Sequence, residues 1–322
     1  MLNKKLNIGV LGIANIARRS VIPAIRISNK CQLYGIASRD FKKAQEYGEK
    51  YDVNPYTYTG LLDDSNIDAI YLPLPTGLHE SWVTKALEGK KHVLVEKSFA
   101  SDYKTAQRLI QLARDQNVLV MENYMFLHHS QHQVVNEVLN DGTIGDLRLF
   151  RSTFCFPPLD PENFRYNRSL GGGALLDAAG YTIRAATQYL GKDLAVEGAY
   201  LTNQGRDVDI MGSAILSNDA NQVAQLFFGF DNYYQCNYEL FGTKGKILAS
   251  RAFTSPPEYK PKIFVETEHG AKEYSLSTDN HFLNIVNAFC ETTASMDYDK
   301  HYSEILTQSK LIESIKGKAI NV

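Results

Sequence analysis

Residues 6–17 read LNIGVLGIANIA, and this stretch indicates the fold class of the first half of the chain. A short apolar strand runs into Gly12, and Ala14 and Ala17 complete a G-x-A-x-x-A turn ahead of a helical segment. Gly12 permits the tight turn, Ala14 lets the backbone approach a pyrophosphate, and Ala17 lets the helix pack on the sheet. The backbone amides at the start of the helix can then donate hydrogen bonds to the negatively charged pyrophosphate. The predicted dinucleotide contacts are Gly12, Ala14, Asn15 and Ile16.

The chain on either side of this turn repeats a strand-helix pattern as far as residue 123. Its strand runs are apolar throughout, which indicates burial on both faces, as in a parallel sheet with helical crossovers. Alone, the turn would also fit an ordinary small-residue turn, but its place at the first strand-to-helix junction favours a cofactor site. We therefore predict a doubly wound Rossmann domain at residues 1–123, of class α/β. Its helices are predicted at 15–28, 41–50, 78–88 and 102–115.

The remainder of the chain, residues 124–322, has a different character. After a helical segment near 128–140, strand runs follow one another with few helices between them, and several alternate apolar and polar residues. Helical patterns return near 281–296 and 301–317. This half predicts an α+β domain with a large, mostly antiparallel open sheet.

Composition limits the classes of partner. The chain has 322 residues, is 44% hydrophobic and carries a formal net charge of -2, with no basic run to attract nucleic acid or an acidic membrane. No stretch approaches the roughly 20 apolar residues that a membrane span requires. The cysteines are far apart and form no C-x-x-C pair, which is typical of reduced thiols in a cytoplasmic protein. They are Cys31, Cys155, Cys236 and Cys290.

The second predicted strand ends at Ser38, Arg39 and Asp40. Arg39 can make a forked contact with a 2′-phosphate, Ser38 can donate a hydrogen bond, and Lys43 can add charge from the following helix. These residues favour NADP over NAD. The alternatives are a solvated Arg39 with Asp40 as a helix N-cap, or Asp40 binding the ribose of NAD.

Two prolines end the third long strand, in the sequence LPLPTGLH at residues 72–79. Because proline cannot continue a central ladder, the chain turns here at the carboxyl edge of the sheet, where cofactors lie. The candidate ribose or nicotinamide neighbours are Leu74, Pro75, Thr76 and His79. A capping or core role for His79 is an equally good interpretation.

Two further segments carry chemistry-bearing side chains. One apolar strand ends in Glu96-Lys97-Ser98, which on spacing alone fits a solvated strand end. Residues 171–181, GGGALLDAAGY, begin a helix that places Asp177 and Tyr181 one turn apart on the same face. By itself, this glycine run also fits a close-packed helix start.

In combination and in this order, these motifs resemble the glucose-fructose oxidoreductase, inositol dehydrogenase and rhizopine catabolism (Gfo/Idh/MocA) family over essentially the whole chain. The resemblance implies that Lys97 lies beside the nicotinamide and the substrate. It implies that Tyr181 is the acid/base residue, that Asp177 orients the substrate or Tyr181, and that Glu96 and Asn123 contact the cofactor. Members commonly pack the sheets of their second domains face to face, so a homodimer or homotetramer is expected.

A closer resemblance, to NDP-hexose 3-ketoreductases of deoxysugar biosynthesis, appears at residues 122–123, 128–132, 163–166 and 251–257. It implies NADPH-dependent reduction of a 3-keto nucleotide sugar, a small-molecule substrate. The implied substrate contacts are Lys97, Arg165, Tyr166, Asp177, Tyr181 and Arg251. Alternatively, Arg165 pairs with Glu162 at the surface and residues 253–257 only wrap the sheet edge. Ser98 replaces the usual proline after the lysine, and Ser255 interrupts the usual R-A-F-T-P-P run.

Ketone reduction explains the need for a lysine and a tyrosine. Hydride arriving at carbon leaves negative charge on oxygen, so donors are needed where that charge develops. A Lys97 ammonium can polarise the carbonyl and lower the pKa of Tyr181, whose free phenol titrates near pH ~10. Tyr181 then supplies the proton.

His128 and His132 have the i, i+4 spacing of helical metal ligands. No glutamate follows the first histidine as in H-E-x-x-H, and no cysteine or acidic ligand is nearby in sequence, so no metal site is predicted. Substrate-pocket lining or helix packing accounts better for them.

Two other functions are compatible with the motifs. One is a dehydrogenase of a free sugar, polyol, inositol or diol, although Tyr181 favours the reductive direction. The other is a non-catalytic, cofactor-sensing regulator with the same fold. The presence of both Lys97 and Tyr181 argues against the regulator, because a sensor needs no proton donor beside a lysine.

Overall fold

The computed structural model describes residues 5–322, which form two compact units. The first unit takes the described residues up to Asn123 together with Phe282–Leu306. The second takes Tyr124–His281 together with Thr307–Val322. Each unit is therefore built from two separate stretches of chain.

The predicted domain division placed residues 282–306 in the second domain, whereas the structure places them in the first unit. The Ser28 hydroxyl donates to Asn287 Oδ1 at 2.7 Å, and the Tyr302 hydroxyl donates to the Val118 carbonyl at 2.6 Å. These helical residues thus complete the first unit. Amphipathic periodicity predicts the helices but does not say which sheet their apolar faces cover.

The first unit contains a parallel sheet of six strands within the described residues. The strands are β1 (Leu6–Leu11), β2 (Cys31–Ala37), β3 (Asn54–Tyr56), β4 (Ala69–Leu72), β5 (His92–Val95) and β6 (Val120–Glu122). Their order is β3-β2-β1-β4-β5-β6, so the chain changes direction across the sheet between β1 and β4. This is the doubly wound arrangement, and the prediction of a Rossmann fold is confirmed.

The helices of the first unit follow the predicted pattern closely. They are a π-helical segment (Ala17–Val21), α1 (Ile22–Ile27), α2 (Phe41–Tyr51), α3 (Tyr58–Asp63), α4 (His79–Glu88) and α5 (Tyr103–Gln116). Side-chain N-caps set several starts: Asp40 accepts from the Lys42 amide at 3.0 Å, and Asp102 accepts from the Thr105 amide at 2.8 Å. The strand β3 and the helix α3 were not predicted, because they are too short to show a period.

The second unit contains one sheet, which has nine strands within residues 5–322. The strands are β7 (Leu147–Cys155), β8 (Ala195–Thr202), β9 (Met211–Ser217), β10 (Val223–Gly229), β11 (Gln235–Gly242), β12 (Gly245–Ala249), β13 (Lys262–Thr267), β14 (Gly270–Ser275) and β15 (Ala319–Asn321). Their order is β14-β13-β12-β11-β7-β10-β9-β8-β15. Only the pairs β7/β10 and β8/β15 among these are parallel, so the prediction of a mostly antiparallel sheet is confirmed.

Helices cover one face of this sheet. The helices of the second unit are α6 (Gln131–Asn140), α7 (Ala174–Asp177), α8 (Ala179–Leu190) and the part of α10 (Asp299–Lys318) from Thr307 onward. Nearly all of α9 (His281–Ser295) and the start of α10 belong to the first unit. The long helix α8 packs against β7 and β10. Burial alternates along β10, with Leu226 and Phe228 inward and Phe227 outward, as expected of a sheet with one covered face. No helix within residues 5–322 is both long and apolar enough to cross a membrane.

His132 belongs to the core of the second unit. Its Nδ1 lies 2.8 Å from the Tyr238 hydroxyl, and its Nε2 lies 3.1 Å from the Ala252 carbonyl. Tyr238 in turn lies 2.6 Å from the Tyr189 hydroxyl. The structure thus supports the helix-packing interpretation of this histidine. Within the described part of the chain, no three histidine, cysteine, aspartate or glutamate side chains are grouped to hold a metal ion.

Because two of its histidines are buried, we expect the protein to lose stability on acidification. Burial lowers the pKa of His132 and of His281 to about 3, below the ordinary value of 6.5. Below pH 6.5 the unfolded chain therefore binds more protons than the folded one, and stability is lost as the pH falls. Each such histidine should remove about 1.4 kcal/mol of unfolding free energy per pH unit between roughly pH 6 and 4.

Urea unfolding at several pH values measures this slope. The variant His132→Gln should show a slope smaller by about one proton. The control His269→Gln changes a side chain that is 87% exposed and should keep the parent slope. An unchanged slope in His132→Gln would show that this histidine does not cause the acid sensitivity.

Candidate active site

The turn after β1 leaves room only for glycine at its first position. Gly12 has φ +126°, and a Cβ there would lie 2.9 Å from Leu74 Cδ2. Its amide donates to the Ala37 carbonyl at 3.1 Å, which ties the turn to the end of β2. The Ala14 carbonyl accepts from the Arg18 amide at 3.1 Å, so the helical segment begins directly after the turn. Backbone amides thus face the edge of the sheet where the strand order reverses, a cradle suited to a pyrophosphate.

The end of β2 presents Arg39 and Lys43 as exposed cations. Ser38 is buried, and its Oγ accepts from the Asp40 amide at 3.3 Å. The Asp40 carboxylate caps α2, as one alternative proposed. That carboxylate is therefore engaged with the helix start, and the Arg39 side chain beside it is exposed.

Tyr58, on the unpredicted helix α3, is a site residue that the sequence did not reveal. Its hydroxyl lies 3.6 Å from the position that a Gly12 Cβ would take, and the Arg39 backbone hydrogen-bonds to it. Its ring meets the ring of Trp82 edge to face, with centroids 4.9 Å apart. Burial raises the pKa of Tyr58, and the nearby Arg39 opposes that rise. An aromatic pair therefore lies beside the turn.

His79 has no exposed surface, so its ring is a core group and not a ribose or nicotinamide contact. Its Nε2 lies 2.7 Å from the Leu74 carbonyl and its Nδ1 lies 3.1 Å from the Phe99 carbonyl. Burial lowers the pKa of His79. The first residue of α4 thus ties the loop after β4 to the loop after β5. Of the other candidates in that loop, Thr76 is buried while Leu74 and Pro75 are partly exposed.

Glu96 anchors the ends of three adjacent strands. Its Oε1 accepts from the Tyr71 hydroxyl at 2.7 Å and from Asn123 Nδ2. Burial raises the pKa of Glu96, and the two donated hydrogen bonds oppose that rise. Asn123 is 1% exposed, and its Oδ1 has no hydrogen-bond partner within the described residues. An unpaired buried acceptor fits a donor from a bound molecule, such as the amide of a nicotinamide.

Lys97 follows Glu96 directly and is half-buried. The peptide bond between Lys97 and Ser98 is cis. The next amide, that of Phe99, donates to Glu122 Oε1 at 2.8 Å, which holds this loop against the end of β6. Lys97 is thus attached to a loop with fixed anchors on both sides.

The glycine run of the second unit is a helix start. Gly173 has φ +114°, and a Cβ there would lie 2.6 Å from Asp209 Oδ1. The Asp209 carbonyl accepts from the Ala174 amide at 2.8 Å, and its Oδ2 accepts from the Leu175 amide at 2.6 Å. An aspartate far along the chain therefore caps α7, and α8 follows after a break at Ala178.

Asp177 is paired with Arg165. Arg165 Nε lies 2.8 Å from Asp177 Oδ2, and the two side chains are 28% and 11% exposed. The guanidinium carbon also lies 4.7 Å from the centroid of the Phe164 ring. Two residues predicted separately as substrate contacts are therefore brought together in one ion pair.

Tyr181 lies in an aromatic cluster of the second unit and is 6% exposed. Its ring centroid is 4.7 Å from that of Phe154, and its hydroxyl is 4.0 Å from the Met125 sulfur. The other rings around it are those of Tyr124, Phe126 and Phe253. An apolar enclosure of this kind removes competing water from the hydroxyl.

The two remaining predicted substrate contacts lie in separate surroundings. The Tyr166 hydroxyl donates to Asp231 Oδ1 at 2.6 Å, and burial raises the pKa of Tyr166. The Arg251 guanidinium lies 5.0 Å from the Tyr234 ring centroid and 5.7 Å from that of Tyr259. Arg251 is thus held by aromatic faces.

Comparison with known proteins identifies the family. Residues 6–124 match the NAD-binding Rossmann domain of the GFO/IDH/MocA oxidoreductases, and residues 132–248 match the C-terminal domain of the same family. The chain belongs to the Gfo/Idh/MocA oxidoreductase family. The resemblance predicted from the motifs is therefore confirmed.

Several relatives within the Gfo/Idh/MocA family are similar over nearly the whole chain. A dTDP-3,4-didehydro-2,6-dideoxy-alpha-D-glucose 3-reductase from Actinomadura kijaniata is 38% identical, over 98% of this chain and 96% of that protein. The protein of the same name from Saccharopolyspora spinosa is 41% identical, over 89% and 87%. A solved 3-ketoreductase from A. kijaniata, in complex with NADP and TDP-benzene, superimposes with a TM-score of 0.96 at 37% identity, covering 99% of both chains.

Proposed function

We propose that the protein reduces the keto group at C3 of a dTDP-linked sugar, with NADPH as reductant. The observation that carries this proposal is the similarity, over nearly the full length of both chains, to 3-reductases of a dTDP-linked didehydro sugar. The complex of a similar 3-ketoreductase with NADP and TDP-benzene supports both the cofactor and the nucleotide. The enzyme class is that of oxidoreductases acting on CH-OH and C=O groups.

Several of the residues proposed from the sequence as cofactor contacts suit particular groups of an NADP molecule. The backbone of Gly12, Ala14, Asn15 and Ile16 would receive the pyrophosphate, and exposed Arg39 with Lys43 would receive the 2′-phosphate. Tyr58, beside the Gly12 turn, would contact the nucleotide, and the unpaired Asn123 Oδ1 would accept a hydrogen bond from the carboxamide. When bound, NADPH supplies the hydride.

The chain's own contribution to the chemistry is proton supply and charge stabilisation. We propose that Lys97 donates to the carbonyl oxygen of the sugar, so that developing negative charge is stabilised as the C–O bond order falls. Tyr181 gives its phenolic proton to the same oxygen. The rings around Tyr181 support this role, because they exclude water that would otherwise hydrogen-bond to the phenol.

The ion pair between Arg165 and Asp177 modifies the roles proposed for both residues. Asp177 neutralises and orients Arg165, so the pair would present a fixed guanidinium edge to the substrate. Arg251, held between Tyr234 and Tyr259, would be the second cation for the diphosphate. Tyr166, whose hydroxyl donates to Asp231, would be a further hydrogen-bonding group for the substrate.

Replacing Lys97 with Met and Tyr181 with Phe tests the chemical assignment. Turnover of a dTDP-linked 3-keto sugar, followed by NADPH absorbance, should fall on the order of 10²–10⁴-fold in each variant, because a donor to the developing oxyanion is lost. NADPH binding should persist. Lys104→Met and Tyr233→Phe, at exposed sites, are the matched controls and should turn over normally. Parent-like turnover in Tyr181→Phe would remove that residue from the mechanism.

Arg39→Ala tests the 2′-phosphate assignment. Loss of a charge-assisted contact of about 1.5–3 kcal/mol should raise the Kd of NADPH on the order of 10- to 100-fold and change that of NADH little. Trp82 is the only tryptophan in the chain, so its fluorescence reports cofactor binding beside the turn. Lys42→Ala, at the neighbouring exposed cation, should bind both cofactors as the parent does. Equal weakening of NADPH and NADH would refute the assignment.

We infer that two copies of the chain associate through the outer face of the nine-stranded sheet. Phe227 on β10 lies opposite Ser213 on β9, and Ser213 lies opposite Tyr200 on β8. These three residues form a row across the outer face of the sheet, in which the Phe227 and Tyr200 side chains are each 37% exposed. Ile215 and Phe264 are further exposed apolar side chains of this sheet. Exposed apolar patches of this kind mark interfaces. A homotetramer would require a second contact.

Phe227→Lys should shift the sedimentation profile of a dimer or tetramer towards a smaller assembly, because a lysine in the apolar row must be desolvated on association. The control Tyr233→Lys places the same charge at a side chain that is 85% exposed and outside the strands. A Phe227→Lys protein that sediments like the parent would contradict this interface.

We infer further that the protein works in a reducing compartment, the cytoplasm. All four cysteines are buried free thiols. Cell fractionation tests this inference, and recovery of the protein outside the cytoplasmic fraction would contradict it.

A further inference from the structure

Gln308, on α10, contacts the helix that bears Tyr181. Its side chain is buried at 1% exposure. Its Nε2 donates to the Tyr124 hydroxyl at 3.1 Å and to the Gly180 carbonyl at 3.0 Å. Both partners are more than 100 residues away in sequence and belong to the same compact unit. One amide group therefore uses both of its N–H bonds on the surroundings of Tyr181.

Gly180 allows the close approach that this arrangement requires. A Cβ at Gly180 would overlap the Tyr124 hydroxyl, and the next nearest atoms would be Tyr124 Cζ at 3.2 Å and Gln308 Nε2 at 3.5 Å. The residue immediately before Tyr181 is therefore a glycine because a phenol occupies the space of its side chain. Any larger residue would displace either Tyr124 or the first turn of α8.

Tyr124 also contacts Tyr181 directly. The two rings meet edge to face, with centroids 5.7 Å apart and an interplanar angle of 87°. The α8 helix begins at Ala179, only two residues before Tyr181, after a break at Ala178. The Tyr181 amide donates to the Ala178 carbonyl at 3.3 Å, a bond of the tighter three-residue type. The backbone therefore changes from a four-residue bond at Ala178, whose amide donates to the Ala174 carbonyl at 2.8 Å, to a three-residue bond at Tyr181.

We propose that Gln308 and Tyr124 are positioning residues that fix the orientation of the Tyr181 phenol. Gln308 holds the Gly180 carbonyl and thereby the rotation of the first turn of α8, while the Tyr124 ring sets the plane of the Tyr181 ring. The inference rests on the proposed function, in which Tyr181 is the proton donor. Small displacements of a reacting group are costly, since a shift of about 1 Å can lower a rate on the order of 100-fold.

Gln308→Leu keeps the size of the side chain and removes both donors. We expect kcat to fall on the order of tenfold, with the KM of the keto sugar and the Kd of NADPH unchanged, because only the proton transfer is misaligned. In a Tyr181→Phe background, Gln308→Leu should cause no further loss of kcat, since it acts through the missing phenol. Gln133→Leu, at an exposed site on α6, is the matched control.

A second pair of variants tests the packing of Gly180 against Tyr124 without substituting Gln308. Gly180→Ala should lower kcat sharply, and adding Tyr124→Phe should restore part of it, because removal of the hydroxyl makes room for the new methyl group. Gly317→Ala, in a helix where a Cβ meets nothing within 4 Å, is the control. Rescue of Gly180→Ala by Tyr124→Phe supports the proposal, and absence of rescue overturns it.

The outcomes separate this inference from the proposed function. If Tyr181→Phe turns over like the parent, the proposed proton donor is wrong. If Tyr181→Phe is impaired while Gln308→Leu keeps parent kcat, only the positioning role is wrong. A Gln308→Leu protein that loses kcat equally in the parent and Tyr181→Phe backgrounds would also overturn the positioning role, because the effect would then be a general loss of structure.

Discussion

The parallel direction of the strands in the first unit determines where its chemistry lies. Because β1, β2, β4, β5 and β6 all run the same way, their carboxyl ends meet at one edge of the sheet. Gly12, Ser38, Lys97 and Asn123 each come one or two residues after such an end. The candidate residues are therefore gathered by topology, although more than 100 residues of sequence separate the first from the last. The reversal of strand order between β1 and β4 leaves the crevice at this edge open.

The loops at that edge are held by buried polar groups. His79 joins two backbone carbonyls, and Glu96 receives donors from the ends of two neighbouring strands. Buried polar groups are costly unless their hydrogen bonds are satisfied, so each such group specifies one arrangement of the loops around it. The unpaired Asn123 Oδ1 is an exception within the described residues, and it lies at the strand end where a ligand donor is expected.

The second unit has a different role, because it holds the Tyr181 phenol among apolar side chains. Its glycine run and Asp209 begin one short helix, a break follows, and a new helix then carries Tyr181 into a group of aromatic rings. The neighbouring rings restrict the Tyr181 ring by packing against it. The positions of the ring and of its helix turn must therefore come from packing and from the few polar groups, such as Gln308, that reach the helix backbone.

Features of the fold that depend on local physics could be predicted from the order of residues alone. The turn at Gly12, the Asp40 cap and the apolar strands were predictable because backbone conformation and periodic burial depend on near neighbours in the chain. Lys97, Asp177 and Tyr181 became candidates only through the resemblance of their motifs to a known family. Which distant groups come into contact depends on how the elements pack, and it became known from the structure. The tertiary structure pairs Arg165 with Asp177, buries His79, brings Tyr58 to the turn, sets Gln308 against Gly180 and places residues 282–306 in the first unit. Side-chain contacts across many residues depend on how whole elements pack, and no sequence period records them.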